Sequence, residues 1–404
     1  MPLLPPPPPV FHVMCKPRGP VCNLACSYCY YRSKTDLYPG GSFRMSDAVL
    51  EAYVRDYLQS QQAPEVEFAW QGGEPTLMGL DFFRRILKLQ RKYRRPGTVV
   101  RNVLQTHGLL LDDEWARFFR RNHFLVGVSL DGPAGVHDAF RRDRLGRPTH
   151  TGVLEAIRLL QRHRVEFNIL CCVHAASAGR PLDVYRFLRD QVGAQFIQFI
   201  PVVEADPAAP GGVSDRSVTG EGYGEFLTAV FDEWVRGDVG QVFVQQFDAA
   251  LAAWMGLPAP LCVHAPTCGL ALALEHNGDL YACDHFVDPQ HRLGNILEQP
   301  LAELVGSAQQ IRFGLSKRAS LPRQCRECDV LFACSGGCPK DRLHTTADGE
   351  AGLNVLCAGY RRFFRHIDAP MRTMAALLRT GRPAADVMQV YRGGWGPRMD
   401  AEGR

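Results

Sequence analysis

The chain has 404 residues, enough for one large domain and a smaller one. Its 46% apolar and 22% charged residues are ordinary for a globular protein. A net charge of +4 without any Lys/Arg block argues against a nucleic-acid partner. No apolar run reaches the length of a membrane span.

Residues 1–9 are mostly proline and read as an extended, disordered tail. They lack the charged and apolar regions of a signal peptide, so a cytoplasmic location without membrane attachment is expected. From residue 10 to 236 strand-like and helix-like segments alternate. Strands are predicted at Val10–Met14, Val66–Trp70, Val99–Leu104, Phe124–Ser129, Phe167–Val173 and Phe196–Pro201. Between them lie amphipathic runs. Ser46 caps one in which Leu50, Tyr53, Val54 and Tyr57 recur at helical spacing. Asp112-Asp113-Glu114 opens another that carries Trp115, Phe118 and Phe119. Six β-then-α units predict an α/β fold with a parallel sheet and outer helices. Spacing alone leaves an open sheet and a partial barrel equally possible.

The polar and Gly-rich segments all follow strands. Cys22, Cys26 and Cys29 follow the first, Gln71-Gly72-Gly73-Glu74-Pro75 the second, and Gln105-Thr106-His107-Gly108 the third. Ser129-Leu130-Asp131-Gly132 ends the fourth and Gln198–Pro201 the sixth. Chemistry in such folds gathers at the C-terminal strand ends.

Fourteen cysteines without a secretion signal point to metal rather than disulfides. The spacing C-x3-C-x2-C offers three thiolates, one fewer than a cubane iron–sulfur cluster uses, which leaves one iron open to a ligand. A zinc knuckle would want a fourth Cys or His close by. Beyond residue 236, Cys262, Cys268, Cys283, Cys325, Cys328, Cys334, Cys338 and Cys357 supply eight more thiolates, enough for two cubanes or a pair of zinc sites. Within this group, Cys325 to Cys338 read on spacing alone as one local cluster. Glu275–Tyr281 reads as a hairpin turning at Asn277-Gly278. The segment reads as a small module that depends on metal for its fold. Cys15, Cys171 and Cys172 read as buried free thiols.

The Cys22–Cys29 run resembles the signature of radical S-adenosylmethionine (SAM) enzymes, whose open iron is chelated by SAM. That resemblance implies a partial (β/α)6 barrel over residues 10–236. The C-terminal cysteines are similar to a SPASM domain, implied over 237–370, with a helix and tail over 371–404. By the same resemblance, Gly72, Gly73 and Glu74 hold the SAM amino group. Ser129 and Asp131 contact its ribose or methionine moiety, and Arg141 or Arg142 its carboxylate. One auxiliary 4Fe–4S cluster takes Cys262, Cys268, Cys283 and Cys338; the other takes Cys325, Cys328, Cys334 and Cys357.

The match is closer to anaerobic sulfatase-maturating enzymes. It rests on Trp70–Leu77, Ser129–Pro133, Phe196–Pro201 and Tyr281-Ala282-Cys283-Asp284-His285-Phe286. It implies oxidation of a cysteine or serine in a sulfatase to Cα-formylglycine by way of a 5′-deoxyadenosyl radical. It also implies three 4Fe–4S clusters, an unfolded or nascent sulfatase polypeptide as partner, and a low-potential electron donor of flavodoxin or ferredoxin type. Asp284 matches the family's acidic position and is the expected base. Tyr31, Gln71, Gln105 and Gln198 are expected to position substrate. His107 departs from the Gln-Thr-Asn-Gly usual in the family. Two other readings remain at this stage: a radical SAM–SPASM maturase that cross-links a ribosomal peptide, and a non-enzymatic metal-stabilised binding protein.

Overall fold

The computed structural model describes residues 10–392. The expected tails at 1–9 and Gly393–Arg404 lie outside the described residues. The strands considered are β1 (His12–Lys16), β2 (Glu65–Trp70), β3 (Val99–Thr106), β4 (Phe124–Ser129), β5 (Phe167–Val173), β6 (Phe196–Pro201), β7 (Phe243–Val244), β8 (Ala271–Glu275), β9 (Asp279–Tyr281) and β10 (Arg292–Asn295). The helices between the early strands are α1 (Asp47–Ser60), α2 (Leu80–Tyr93), α3 (Asp113–Arg121), α4 (Ala134–Phe140) and α5 (His150–Arg162). The chain divides into two compact units, with β5 passing from one into the other.

The first unit takes the residues up to 130, then 134–170 and 266–320. Its strands run β10-β9-β8-β1-β2-β3-β4 and on to the first half of β5. β1 through β5 pair in parallel, as the β-then-α alternation predicts. In β2, alternate residues Val66, Phe68 and Trp70 are buried, and α1 and α2 cover them. Tyr53 and Tyr57 of α1 contact Phe68, and Trp70 contacts Phe82 and Phe83 of α2. Each such ring, fully buried, contributes about 1.5–3 kcal/mol from its apolar area. Ser46 accepts the Val49 N–H and starts α1, while Asp112 accepts those of Glu114 and Trp115 and starts α3.

The sequence predicts the Glu275–Tyr281 hairpin within a small module that leans on metal. In the structure it lengthens the sheet of the first unit. β8 pairs in parallel with β1 over five residues, from His12↔Ala271 to Lys16↔Glu275. Leu272, Ala273, Leu274 and Leu280 are fully buried. The apolar run of β8 therefore supplies burial of its own, and the register brings Lys16 opposite Glu275.

The second unit takes residues 131–133, 171–265 and 321–392 of the described chain. It contains the end of β5, then β6 and β7. Its helices Gly220–Gly237 and Cys357–His366 touch at glycines. A Cβ on Gly359 would lie 1.9 Å from the Gly220 carbonyl oxygen, and one on Gly224 2.5 Å from the Gly359 Cα. Tyr223 against Tyr360 and Phe231 against Phe363 extend that contact.

Candidate active site

In the first unit, the loops after β1, β2 and β3 carry the predicted groups. The loop after β1 is held by its backbone: Ala25 and Ser27 donate to the carbonyls of Arg142 and Phe140, at 2.8 and 3.0 Å. Arg144 donates to the Cys22 carbonyl at 2.5 Å. Cys26 is buried, and Cys22 and Cys29 are half-buried. Burial pushes the Cys22 thiol up to about 12, against the Leu24 N–H that favours its thiolate. Burial raises the Cys29 thiol as well, opposed by the Arg32 N–H and the Arg141 charge. Buried thiols of this kind ionise in exchange for a metal's positive charge, which is the donor chemistry an iron–sulfur core needs.

The Gly-Gly-Glu-Pro loop lies directly on this cysteine loop. Gly73 donates to the Gly19 carbonyl at 2.7 Å and Glu74 to that of Val21 at 3.0 Å. A Cβ on Gly73 would stand 2.1 Å from the Val21 carbonyl oxygen, so only glycine permits this approach. The Glu74 side chain is 1% exposed and turned inward. Its oxygens accept from Thr76 N and Oγ1, Thr106 Oγ1 and His107 N.

Beside these loops a buried polar chain runs from strand end to strand end. Lys16, 1% exposed, forms an ion pair with Asp284. Its Nζ also donates to Gln71 Oε1 at 2.6 Å and lies 4.6 Å from the centre of the Tyr31 ring. Gln71 passes the chain on to Gln105 at 3.0 Å. Tyr30 donates to Asp284 Oδ2 at 2.5 Å, and Tyr31 donates to Glu275. Burial works against ionisation of Asp284. The charges of Lys16 and His285, with hydrogen bonds from Lys16 and Tyr30, outweigh it and hold the carboxyl below its usual range. Tyr31, Gln71, Gln105 and Asp284 thus belong to one connected network, with Tyr30 at its exposed end, 45% accessible.

The other predicted residues are placed as follows. Ser129 is buried at the end of β4, and Arg141 is buried with its guanidinium 5.4 Å from the centre of the Tyr28 ring. In the second unit, Asp131 is fully buried, with Oδ1 accepting the Cys172 N–H at 2.9 Å and Oδ2 3.7 Å from His174. Gln198 is half-buried on β6 of that unit. Cys15 and Cys171 are buried, and Cys172 is half-buried.

Also in the second unit, Cys325, Cys328, Cys334 and Cys357 line one cavity of about 430 Å³. Four thiols around a space of this size suit the donor set of a cubane. Burial pushes the Cys334 thiol up to about 12. It does the same to Cys338, where the Asp341 charge adds to it and Cys262 contributes a smaller share. Cys268 and Cys283 belong to the first unit. There Gln310 donates to the carbonyls of Gly269 and Ala282, tying together the two loops that carry them.

Sequence reasoning misses Lys16, Tyr30, Glu275 and Gln310. One signal was present: a lysine closing the apolar strand β1 is out of place unless a buried partner awaits it.

Comparisons with known proteins agree with this geometry. The radical SAM superfamily model matches residues 17–187, and an iron–sulfur cluster-binding domain model, SPASM, matches residues 266–329. The chain is 45% identical over 397 residues to a serine-type anaerobic sulfatase-maturating enzyme of Bacteroides thetaiotaomicron, covering 95% of each chain. It is 34% identical over 362 residues to a cysteine-type enzyme of Clostridium perfringens, covering 89% of this chain and 96% of the relative. A solved structure described as native anSMEcpe with bound AdoMet and Kp18Cys peptide superposes with a TM-score of 0.82. It is 33% identical and matches 90% of this chain and 99% of the other.

Proposed function

This chain belongs to the anaerobic sulfatase-maturating enzymes, and from that membership we propose that it oxidises a serine or cysteine side chain of a sulfatase polypeptide to Cα-formylglycine. Its cofactors are SAM and three 4Fe–4S clusters. Family membership favours this reading over a maturase that cross-links ribosomal peptides and over a non-enzymatic metal-stabilised protein. A low-potential donor of flavodoxin or ferredoxin type is the expected electron source. Among the described residues, no helix is long and apolar enough to cross a membrane.

Cys22, Cys26 and Cys29 are assigned to the cluster that holds SAM. Cys325, Cys328, Cys334 and Cys357 are assigned to one auxiliary cluster, a choice supported by their shared cavity. Cys262, Cys268, Cys283 and Cys338 are assigned to the other. When bound, these groups would supply the one-electron chemistry, removing a hydrogen atom from Cβ of the target and accepting the electron that the resulting radical gives up. The protein's own part is position and proton transfer.

The single observation that carries the assignment of the base is the Lys16–Asp284 ion pair with its ties to Gln71 and Tyr30. Asp284 accepts the proton leaving the target side chain at Oδ2, the oxygen on the Tyr30 side, while Lys16 steadies Oδ1. A base must stand within hydrogen-bond reach of its proton, and two side chains, Lys16 and Tyr30, fix the orientation of this carboxylate. Gln71 and Gln105 hold Lys16 in register. Tyr31, tied to Glu275, closes the floor beneath it.

The test is to incubate the reduced, reconstituted protein with SAM and two sulfatase-motif peptides, one with serine and one with cysteine at the target. Aldehyde formation together with 5′-deoxyadenosine supports the reading. The greater identity to the serine-type relative leads us to expect that the serine peptide is converted. 5′-Deoxyadenosine without aldehyde on either peptide would overturn it.

A further inference from the structure

We propose that His107 is a positioning residue that latches the Cys22 loop to the Glu74 carboxylate and thereby sets the geometry in which the cluster meets SAM. The proposal rests on the assignment of Cys22, Cys26 and Cys29 made above. It starts from the imidazole's own hydrogen bonds. His107 is 5% exposed. Its Nδ1 accepts the Leu109 N–H at 3.0 Å, so the ring proton sits on Nε2. That Nε2 is 2.8 Å from Asn23 Oδ1 and 3.2 Å from Glu74 Oε2. One N–H is therefore shared between two oxygens on two different loops.

The position of those two oxygens gives the latch its use. Asn23 follows Cys22 directly. Glu74 ends the Gly72-Gly73 approach and collects donors from Thr76 in the loop after β2 and from Thr106 and His107 at the end of β3. The cysteine loop is already fastened to the β2 loop through backbone bonds at Gly19 and Val21. His107 adds a side-chain tie from the third loop, at the residue beside the first thiol. Glu74 has its oxygens committed to these internal donors, so it acts as the anchor of this fastening. The ring reaches the thiol only through Asn23, and it acts by holding the loop.

Groups that orient metal ligands from outside commonly change affinity or activity by about 10–100-fold when removed. The experiment uses the full, reconstituted enzyme without peptide. SAM affinity is read from the change SAM causes in the electron paramagnetic resonance spectrum of the reduced cluster. Iron content is measured alongside to show that the clusters are loaded. His107→Ala and Asn23→Ala should each weaken SAM binding about tenfold or more and leave the same altered spectrum. The double variant should be no worse than either single one, because both remove the same bond. His107→Gln, which keeps a side-chain N–H for Asn23, should recover part of the loss.

Wild-type SAM affinity and spectrum in His107→Ala at full iron content would overturn the proposal. So would independent, additive losses in the double variant. Should His107→Ala fail to fold, Asn23→Ala, on a half-buried side chain, decides alone: unchanged affinity there also overturns it. None of these readings uses a sulfatase peptide. Failure of the formylglycine assay would therefore leave this result standing, and the reverse holds too.

Discussion

Asp284 and Lys16 form a buried pair whose two charges are far apart in sequence and adjacent in space. Asp284→Asn keeps the side chain's size and removes its basic oxygen. Hydrogen abstraction precedes the proton step, so this variant should still form 5′-deoxyadenosine while aldehyde yield falls about 10²-fold or more. Both products measured in one reaction separate this outcome from a general loss of activity; unchanged coupling between them would remove Asp284 as the base. Lys16→Met asks a different question. It leaves a buried carboxylate without its cation, which costs about 3–5 kcal/mol and should appear as a lower melting temperature. Adding Asp284→Asn to Lys16→Met should recover much of that loss, since no buried charge then remains. The cysteines stand out in the sequence by their spacing, and Asp284 by its neighbour Cys283 and the family motif. Lys16 and Tyr30 do not, because their meaning lies in a partner more than two hundred and fifty positions along the chain, and no local pattern encodes that distance.

Among the elements, the strands and their caps were the most readable part. β4, β5 and β6 span the segments that alternation and apolar runs predict, and Ser46 and Asp112 start the helices that they were expected to cap. The parallel pairing of β8 with β1 was not readable, since it joins segments more than two hundred and fifty residues apart and neither strand carries a turn signal toward the other. The glycine loop shows the same divide. Gly72-Gly73 is visible as a loop, but the contact that demands glycine is visible only in space. Gly73→Ala would press a methyl group onto the Val21 carbonyl oxygen, and crowding of this kind costs about 1–3 kcal/mol. Because the displaced backbone carries Cys22, the expected result is reduced iron at this site and reduced SAM cleavage. Asp112→Ala serves as the control. It removes a helix cap that serves the Glu114 and Trp115 N–H groups, for about 1 kcal/mol, and should lower the melting temperature with iron content and SAM cleavage unchanged. Equal behaviour of the two variants would show that the glycine contact has no bearing on the cysteine loop.

At the scale of the whole molecule, a reading along the chain expects contiguous domains, one over residues 10–236 and one over 237–370. The structure shows two units that are each discontinuous, because residues 266–320 pack with the first strands. Composition and periodicity act on neighbours in sequence and carry no information about a segment that returns. The division does yield one sharp expectation. Cys22, Cys26 and Cys29 belong to the first unit, while the cavity lined by Cys325, Cys328, Cys334 and Cys357 lies wholly within the second. The two sets of ligands should therefore load independently. Replacing Cys22, Cys26 and Cys29 together by alanine should abolish 5′-deoxyadenosine formation and lower bound iron by about a third, as loss of one cubane in three requires. The remaining iron should keep the visible absorption of cubane clusters. SAM cleavage that persists in the triple variant would refute the assignment of the first site. Loss of all the iron would refute the independence of the second, and would mean that metal at the first cysteine loop is needed before the rest of the chain can fold around its own.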